Sequence, residues 1–475
     1  MCHKILRLVA VVALLAAGTA STADDDAVRP LNEDEDRVIA GIEESEVLAA
    51  VSFLASDEMA GRNTPSTELD IASAYVAARF RGAGLEGPGP DGSFYQTTEL
   101  TQFAMPEGEA TVLANGASIS AMGVLFGGEA VTSVTAATTD GKVPADAAGK
   151  VVVLEEIPLP PQAVDNPMMM LATWSRRLAP LANNKAAAIL VRTADDSILP
   201  EAVRRLGDKP ISLPAQFMIA CPVILIPSAA VLEGEVTLTA PARQTLATPV
   251  RNVIGVLRGS DPEFSKQAIL ITAHLDHIGR LSGDGQGDRI NNGADDNATG
   301  VTGVVMLADA FSQLKTRPKR SVVFMTFWGE EKGLLGSKHF ADHPLWPLDQ
   351  TVANVNLEMI GRPEVGAENK AWGTGWNHST LGEQMAAGAA RAGVAIFHHD
   401  EFSEMLYTRS DNYSFVQKGV IAHSFSAGSL HNDYHQPSDE ISKLNIPHMT
   451  QIIKGLFAGT LPIAHGELTP KKAGK

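Results

Sequence analysis

Cysteine is nearly absent. Cys2 and Cys221 are the only two in 475 residues, and Cys2 lies in an N-terminal stretch that reads as a cleavable leader. One remaining cysteine cannot close an intrachain disulfide, which excludes a disulfide framework. Cys221, between Met218-Ile219-Ala220 and Pro222-Val223-Ile224, reads as a buried structural thiol. Positive charge is also short. Against 55 Asp and Glu stand 38 Lys and Arg, a formal charge of −17, which argues against nucleic acid or an anionic membrane as the main partner. A long apolar run is missing too. Leu8–Ala17 is too short for a comfortable membrane span. It follows Lys4 and Arg7 and precedes the small residues Ser21-Thr22-Ala23, the order of a secretory signal peptide. The expectation is a signal segment over 1–23, a mature chain starting at Asp24, a periplasmic or secreted location, and no stable membrane anchor after cleavage. No internal repeat is visible.

What is present suits a folded protein of two domains: 44% hydrophobic and 20% charged residues over this length. Asp24–Arg37 is acidic and proline-bearing, and reads as a loose leader. Val47, Leu48, Val51 and Leu54 recur at helical spacing. Met59–Pro65 reads as a turn. Ser66–Arg81 reads as a second helix with Ile71, Ala72, Tyr75, Val76 and Phe80 on one face, stopped by Gly82-Ala83-Gly84. From Gln102 to Ala247 the chain becomes β-rich, with strands expected near Val112–Met122, Val134–Val143, Lys150–Leu154, up to Val191, Pro222–Ile226 and Val236–Thr239. From Pro249 an α/β pattern returns: strands Asn252–Arg258 and Ala268–Ala273, helices Gly300–Leu314 and Leu381–Ala392, a late strand Gly419–Phe425 and a closing helix Ile446–Phe457. The division is therefore 24–101 and 248–466 for a catalytic α/β domain, 102–247 for an insert, and a frayed tail over 467–475.

Open α/β sheets gather their sites outside the carboxyl ends of the strands. Three apolar runs here end in residues that hold metals. Ala268–Ala273 ends at His274-Leu275-Asp276, Ser321–Phe327 ends near Glu330-Glu331, and Val352–Leu357 ends at Glu358. Leu430–His435 adds two imidazoles. Zinc takes histidine nitrogen and carboxylate oxygen, and a catalytic site keeps a position open for water. Two zincs about 3.5–4 Å apart that share one carboxylate need about five protein ligands. His274 would bind one metal, and Asp276 would hold its imidazole from behind. Asp295-Asp296 would supply the bridging carboxylate, and Glu330-Glu331 one general base and one ligand. Glu358 and His435 complete the set. Each piece alone has a plainer reading, a solvated glutamate pair or a helix cap at Asp295–Gly300. The repetition at strand ends is what favours a site.

Taken in order, HLDH (274–277), GADDNATG (293–300), EEKGLLGS (330–337), NLEMIGR (356–362) and DYHQPSD (433–439) resemble the M28 family of zinc aminopeptidases. The resemblance covers about Val47–Leu85 and Asn252–His465. It implies a mixed-sheet, three-layer α/β zinc-exopeptidase fold of the phosphorylase/hydrolase-like kind, peptide substrates, and two Zn²⁺ per chain. It implies His274, Asp296, Glu331, Glu358 and His435 as ligands, selecting Asp296 over Asp295 and His435 over His431. It implies Glu330 as general base, Tyr434 as an oxyanion donor and Arg409 as a substrate contact. Many relatives carry aspartate where Glu358 stands, which leaves the relative strength of the two metal positions open. The insert resembles a protease-associated (PA) domain through KVVVLEE (150–156) and NNKAAAILVRT (183–193), and implies a cover without chemistry of its own. A glutaminyl cyclase-like acyltransferase and a carboxypeptidase are the alternatives on the same fold. Oligomeric state is not legible.

Overall fold

The structure is a computed structural model. It describes residues 28–474 apart from 105–108, 127–130, 141–146, 157–166, 184, 207–218, 220, 233, 243 and 282–285. The expected signal segment lies outside the described residues.

Among the described residues three α-helices come first: α1 (Glu33–Ala40), α2 (Glu44–Leu54) and α3 (Thr67–Gly82). β1 (Tyr95–Ala104) leads into the β-rich stretch. There β2 (Thr111–Ala114), β3 (Ala117–Ile119), β4 (Gly123–Phe126), β5 (Val131–Asp140) and β6 (Val151–Glu155) are followed by α4 (Pro167–Asn183), β7 (Ala188–Thr193), α5 (Leu199–Leu206), β8 (Val223–Pro227) and β9 (Glu235–Ala240). The chain returns along β10 (Gln244–Leu257). Then come β11 (Ala268–His274), a short ribbon of β12 (Gly279–Arg280) and β13 (Ile290–Asn291), α6 (Gly300–Ser312), β14 (Ser321–Phe327), α7 (Leu335–Asp342) and β15 (Thr351–Leu357). Last are β16 (Lys370–Gly373), α8 (Leu381–Ala390), β17 (Ala395–Phe397), α9 (Phe402–Met405), α10 (Asn412–Gln417), β18 (Ala422–Ser426) and α11 (Ile446–Ala464).

Two eight-stranded sheets result. The main one runs β1-β10-β14-β11-β15-β18-β16-β17, and the other runs β3-β2-β9-β5-β6-β7-β8-β4. In the main sheet β14, β11, β15 and β18 are mutually parallel, while β10 pairs antiparallel to β14 and β1 antiparallel to β10. Every residue of β11 and of β14 is buried. Parallel strands covered on both faces carry continuous apolar runs rather than alternation, which is why these two stood out in the sequence. On one face lies a core that includes Leu54, Phe80, Phe311, Phe324 and Phe457; on the other lies one that includes Met325, Phe327, Phe340 and Phe415. This is the mixed-sheet, three-layer arrangement expected. The β-rich stretch has its own cores, one around Trp174 and Leu225 and one around Val153 and Leu238.

Three local expectations are corrected. The leader is not loose from Glu33 on. Asn32 Oδ1 accepts hydrogen bonds from Asp34 N and Glu35 N, and the Glu35 carboxylate accepts one from Asn32 N at 2.9 Å, a reciprocal cap that starts α1. Ile71 does not join the buried face of α3; it is 47% exposed, and Leu69, Ala72, Val76, Ala77 and Phe80 form that face. The tail is not frayed. The Arg320 guanidinium donates to Leu468 O and Thr469 Oγ1, and Leu468 is buried. The Asn32–Glu35 spacing is a capping-box pattern and was the missed signal for α1; a contact some 150 residues away has no local pattern.

Candidate metal centre

The parallel strands β14, β11 and β15 are neighbours, so their carboxyl ends open on one edge. His274 is the last residue of β11. Glu330 and Glu331 lie three and four residues beyond β14, and Glu358 directly follows β15. Asp296 lies on the turn 294–299 before α6. His435 comes from the loop after β18 and holds φ of +57°, a conformation uncommon outside glycine.

The five residues converge. His274 Nε2 lies 3.1 Å from Glu358 Oε1 and 3.3 Å from Asp296 Oδ1. His435 Nε2 lies 3.1 Å from Asp296 Oδ2 and 3.2 Å from Glu331 Oε2. Asp296 thus turns one oxygen to each side. Two donor groups follow, His274–Asp296–Glu358 and His277–Asp296–Glu331–His435, each with ligand atoms within 4.8 Å of one another. Buried polar atoms are ordinarily hydrogen-bonded, yet Asp296 Oδ2 and His435 Nε2 have no hydrogen-bond partner. Imidazole nitrogens and carboxylate oxygens that face one another with no hydrogen bond between them suit a zinc ion. His431 and Asp295 stand apart from these groups. They face each other at 3.3 Å, and Asp295 Oδ1 accepts from Gly361 N.

His277 was not singled out in the sequence. Its ring is fully buried, with Nδ1 2.7 Å from Glu331 Oε1 and 3.7 Å from Asp296 Oδ2. The signal was the second histidine of HLDH. Asp276 also differs in detail. His274 Nδ1 meets the backbone carbonyl of Asp276 at 3.0 Å, and the Asp276 carboxylate is 3.9 Å away. That carboxylate accepts instead from Thr64 Oγ1 at 2.9 Å and from Glu330 N at 3.1 Å. β11 ends at His274, so Asp276 lies beyond the strand and strand alternation does not set the direction of its side chain.

Side chains from the sheet hold the ligands. Thr272 donates to Asn356, Asn356 to Ser410 and Ser424, and Ser410 to Glu358 Oε2 at 2.6 Å. Asn297 Oδ1 accepts from Gly300 N and Met359 N, while its Nδ2 donates to Leu357 O, which ties the Asp296 turn to the end of β15. Asp439 accepts from Asp295 N and Asp296 N. Burial and the neighbouring Asp295 push its carboxyl up to about 6.

A cavity lined by His274, Glu330, Glu358, Trp372, Arg409 and Tyr434, among others, opens beside the donors. Burial raises the Glu330 carboxyl well above the usual range; His274 opposes this, while Glu331, Asp411 and Glu358 add to it. Burial also raises the Tyr434 phenol, helped by Asp296 and Glu331, so it keeps its proton at neutral pH. Tyr434 stacks on His435, ring centroids 3.9 Å apart. Arg409 is exposed at the cavity wall.

Residues 252–458 match the profile of peptidase family M28. Over that segment the chain is similar to M28 peptidases. Aminopeptidase YwaD of Bacillus subtilis is 24% identical over 298 residues, 60% of this chain and 59% of that protein. A probable zinc metalloprotease of Pyrenophora teres is 36% identical over 113 residues, 24% of this chain and 23% of that one. In each case the match spans less than two thirds of the relative. Among solved structures, an aminopeptidase from Aneurinibacillus sp. strain AM-1 covers 93% of this chain and 97% of its own at 18% identity and a TM-score of 0.55. A zinc aminopeptidase from Bacillus subtilis covers 88% and 94% at 18% identity and a TM-score of 0.50. At such identity these are likenesses of fold. The M28-like segment and the three-helix segment before β1 share one core, since Leu54 and Phe80 pack with Phe311 and Phe324.

Proposed function

We propose that this chain is a two-zinc aminopeptidase, exported to the periplasm or beyond, that removes N-terminal residues from peptides. The observation that carries this reading is Asp296, which directs Oδ1 to His274 and Oδ2 to His435. A carboxylate divided in this way is what a two-metal site requires. His274, Asp296 and Glu358 would hold one ion; Asp296, Glu331 and His435, with His277 beside them, would hold the other. When bound, the pair supplies Lewis acidity toward the scissile carbonyl and lowers the pKa of a shared water.

The chain's own residues supply the rest. Glu330, on the cavity wall, takes the proton from the attacking water and passes it to the leaving amine. Tyr434, protonated and beside His435, donates to the carbonyl oxygen as it gains charge. Arg409 contacts substrate at the rim. The β-rich stretch acts as a PA-like cover; no metal-binding group of three side chains occurs in it among the described residues. The relatives described as aminopeptidases support action at the amino end. Export rests on the reading of residues 1–23. No helix among the described residues is long and apolar enough to cross a membrane.

The test is Glu330→Ala against a panel of peptides with free or blocked ends, with zinc content measured in parallel. Zinc should stay at about two per chain while hydrolysis falls by roughly 10²–10⁴-fold. Retained turnover would remove Glu330 from the base role. Cleavage that needs a free carboxyl end, or cyclisation of N-terminal glutamine, would replace the aminopeptidase reading.

A further inference from the structure

The turn Gly61–Pro65 lies nearly two hundred positions before the start of the M28 match, with the β-rich stretch between them. In space it touches all three loops that bring ligands from the N-terminal half of the site. Arg62 is 1% exposed. Its Nε donates to Leu275 O at 2.9 Å, Nη1 to Asn292 O at 2.8 Å and to Leu54 O, and Nη2 to Gly293 O at 3.1 Å. Leu275 follows His274, and Asn292-Gly293 leads into the Asp296 turn. One guanidinium therefore joins the His274 loop to the Asp296 loop and to the end of α2. The backbone adds His277 N to Arg62 O and Gly279 N to Gly61 O. The approach is close: a Cβ on Gly61, whose φ is +72°, would lie 2.3 Å from Asn291 O.

Thr64, 1% exposed, makes the remaining connection. Its hydroxyl donates to Asp276 Oδ2 at 2.9 Å and accepts from Gly329 N at 3.0 Å. Asp276 Oδ1 accepts in turn from Glu330 N at 3.1 Å. An ionised carboxylate only accepts and a backbone N–H only donates, so a bridge between them needs a group that does both. A hydroxyl does; a methyl of the same size does not. The Asp276 backbone carbonyl meanwhile takes His274 Nδ1. Thr64 is thus one bond from the residue that orients His274, and one bond from the backbone N–H next to Glu330.

We propose that the Gly61–Thr64 turn is the positioning element of the metal centre, and that Thr64 is the positioning residue that sets Glu330 and His274 relative to each other through Asp276. Arg62 fixes the loops and Thr64 fixes the register between them. The activity part of this inference rests on the aminopeptidase reading; the metal part does not. Supporting partners behind metal ligands typically matter by about 10–100-fold in affinity or activity.

The test uses the full chain with Thr64→Val and Thr64→Ser. Zinc affinity is read by competition with a chromophoric chelator, and kcat and KM on an aminoacyl substrate. Thr64→Val should lose about 10–100-fold in zinc affinity or kcat while KM moves by less than about threefold, and Thr64→Ser should restore both to within about threefold of wild type. A Thr64→Val protein with unchanged zinc affinity and kcat overturns the inference. So does a Thr64→Ser protein as impaired as Thr64→Val, since that would make the methyl group, not the hydroxyl, the feature that matters. If Thr64→Val does not fold, Thr64→Ala, with no added bulk, is compared with Thr64→Ser by the same criteria. A wild-type chain that binds zinc but cleaves no peptide sinks the proposed function, and the chelator competition still decides on Thr64.

Discussion

Zinc binding at this site should displace protons, and the structure says roughly how many. Burial disfavours the charged form of His274, but Glu358, Glu330 and Asp296 outweigh it and hold the imidazole well above its ordinary value. For His435 burial is again opposed, here by Asp296 and Glu331, and the ring is pushed up to about 10. Both imidazoles therefore favour the protonated form in the metal-free site, and burial likewise favours the protonated form of the Glu330 carboxyl. An imidazole must be neutral to give its lone pair to a metal. His274 lies in one donor group and His435 in the other, so each metal displaces about one proton, and cations beside Glu330 draw its carboxyl toward the ionised form. The expected release at pH 7 is about two protons per chain. For His435, three pH units would correspond to about 4 kcal/mol, which solvent screening of a side chain 34% exposed reduces to roughly 2–3 kcal/mol. The sign is fixed: lowering pH favours the protonated, metal-free state, so the apparent affinity of each group should rise about tenfold per pH unit near neutrality. Calorimetric zinc titrations in buffers of different ionisation enthalpy count the protons directly. Release of fewer than one proton per chain, or affinity flat from pH 6 to 8, would refute the protonation pattern argued here.

Further outcomes are expected. His277→Ala should weaken the Glu331–His435 metal by about 10–100-fold and leave the His274–Glu358 metal unchanged, visible as two separated steps in a zinc titration. His423 is held neutral by burial, its pKa lowered to about 4; its contribution to stability is complete above its unfolded pKa near 6.5 and is lost as pH falls from there toward 4. The loss amounts to about 3 kcal/mol, so His423→Gln should flatten the pH dependence of unfolding over that window. Phe311→Ala should cost the M28-like segment about 3–5 kcal/mol in denaturant unfolding, because the ring is fully buried and its centroid lies 4.8 Å from that of Phe457 and 6.1 Å from that of Phe324.

The sequence disclosed the middle of the sheet better than its margins. β11 and β14 are buried on both faces and wrote themselves as AILITAH and SVVFMTF. α4 went unread, because Met170, Trp174, Leu178 and Leu181 face a core local to the β-rich stretch and Pro180 lies inside the helix. At the site, strand ends announced His274 and Glu358, since parallel strands deliver their last residues to one edge. Which member of Asp295-Asp296 faces the donors depends on how the turn before α6 is held by Asn297 and Asp439, contacts 60 and 143 residues away. No local pattern carries that. His277 was hidden for a similar reason: beyond the end of β11, side-chain direction is set by the pairing with Arg62 and Asn63, not by strand alternation.

The division of the chain into a catalytic part and a β-rich interruption therefore does not follow the line between residues that do chemistry and residues that do not. β1 and β10 pair along ten positions, Tyr95 with Val253 through Ala104 with Gln244. The ends of the interruption are thereby stitched together, and the helices before it are returned to the same core as those after it. Among the described residues the segment before β1 contributes no member of either donor group, yet Arg62 and Thr64 contact the loops that carry His274, Asp296 and Glu330. Donor residues can be found by their chemistry, because few side chains bind zinc. Residues that hold donors in register need only a hydroxyl or a guanidinium at the right place, and those are common. In this chain the second kind of residue is what links the segment before β1 to the M28-like segment at one site.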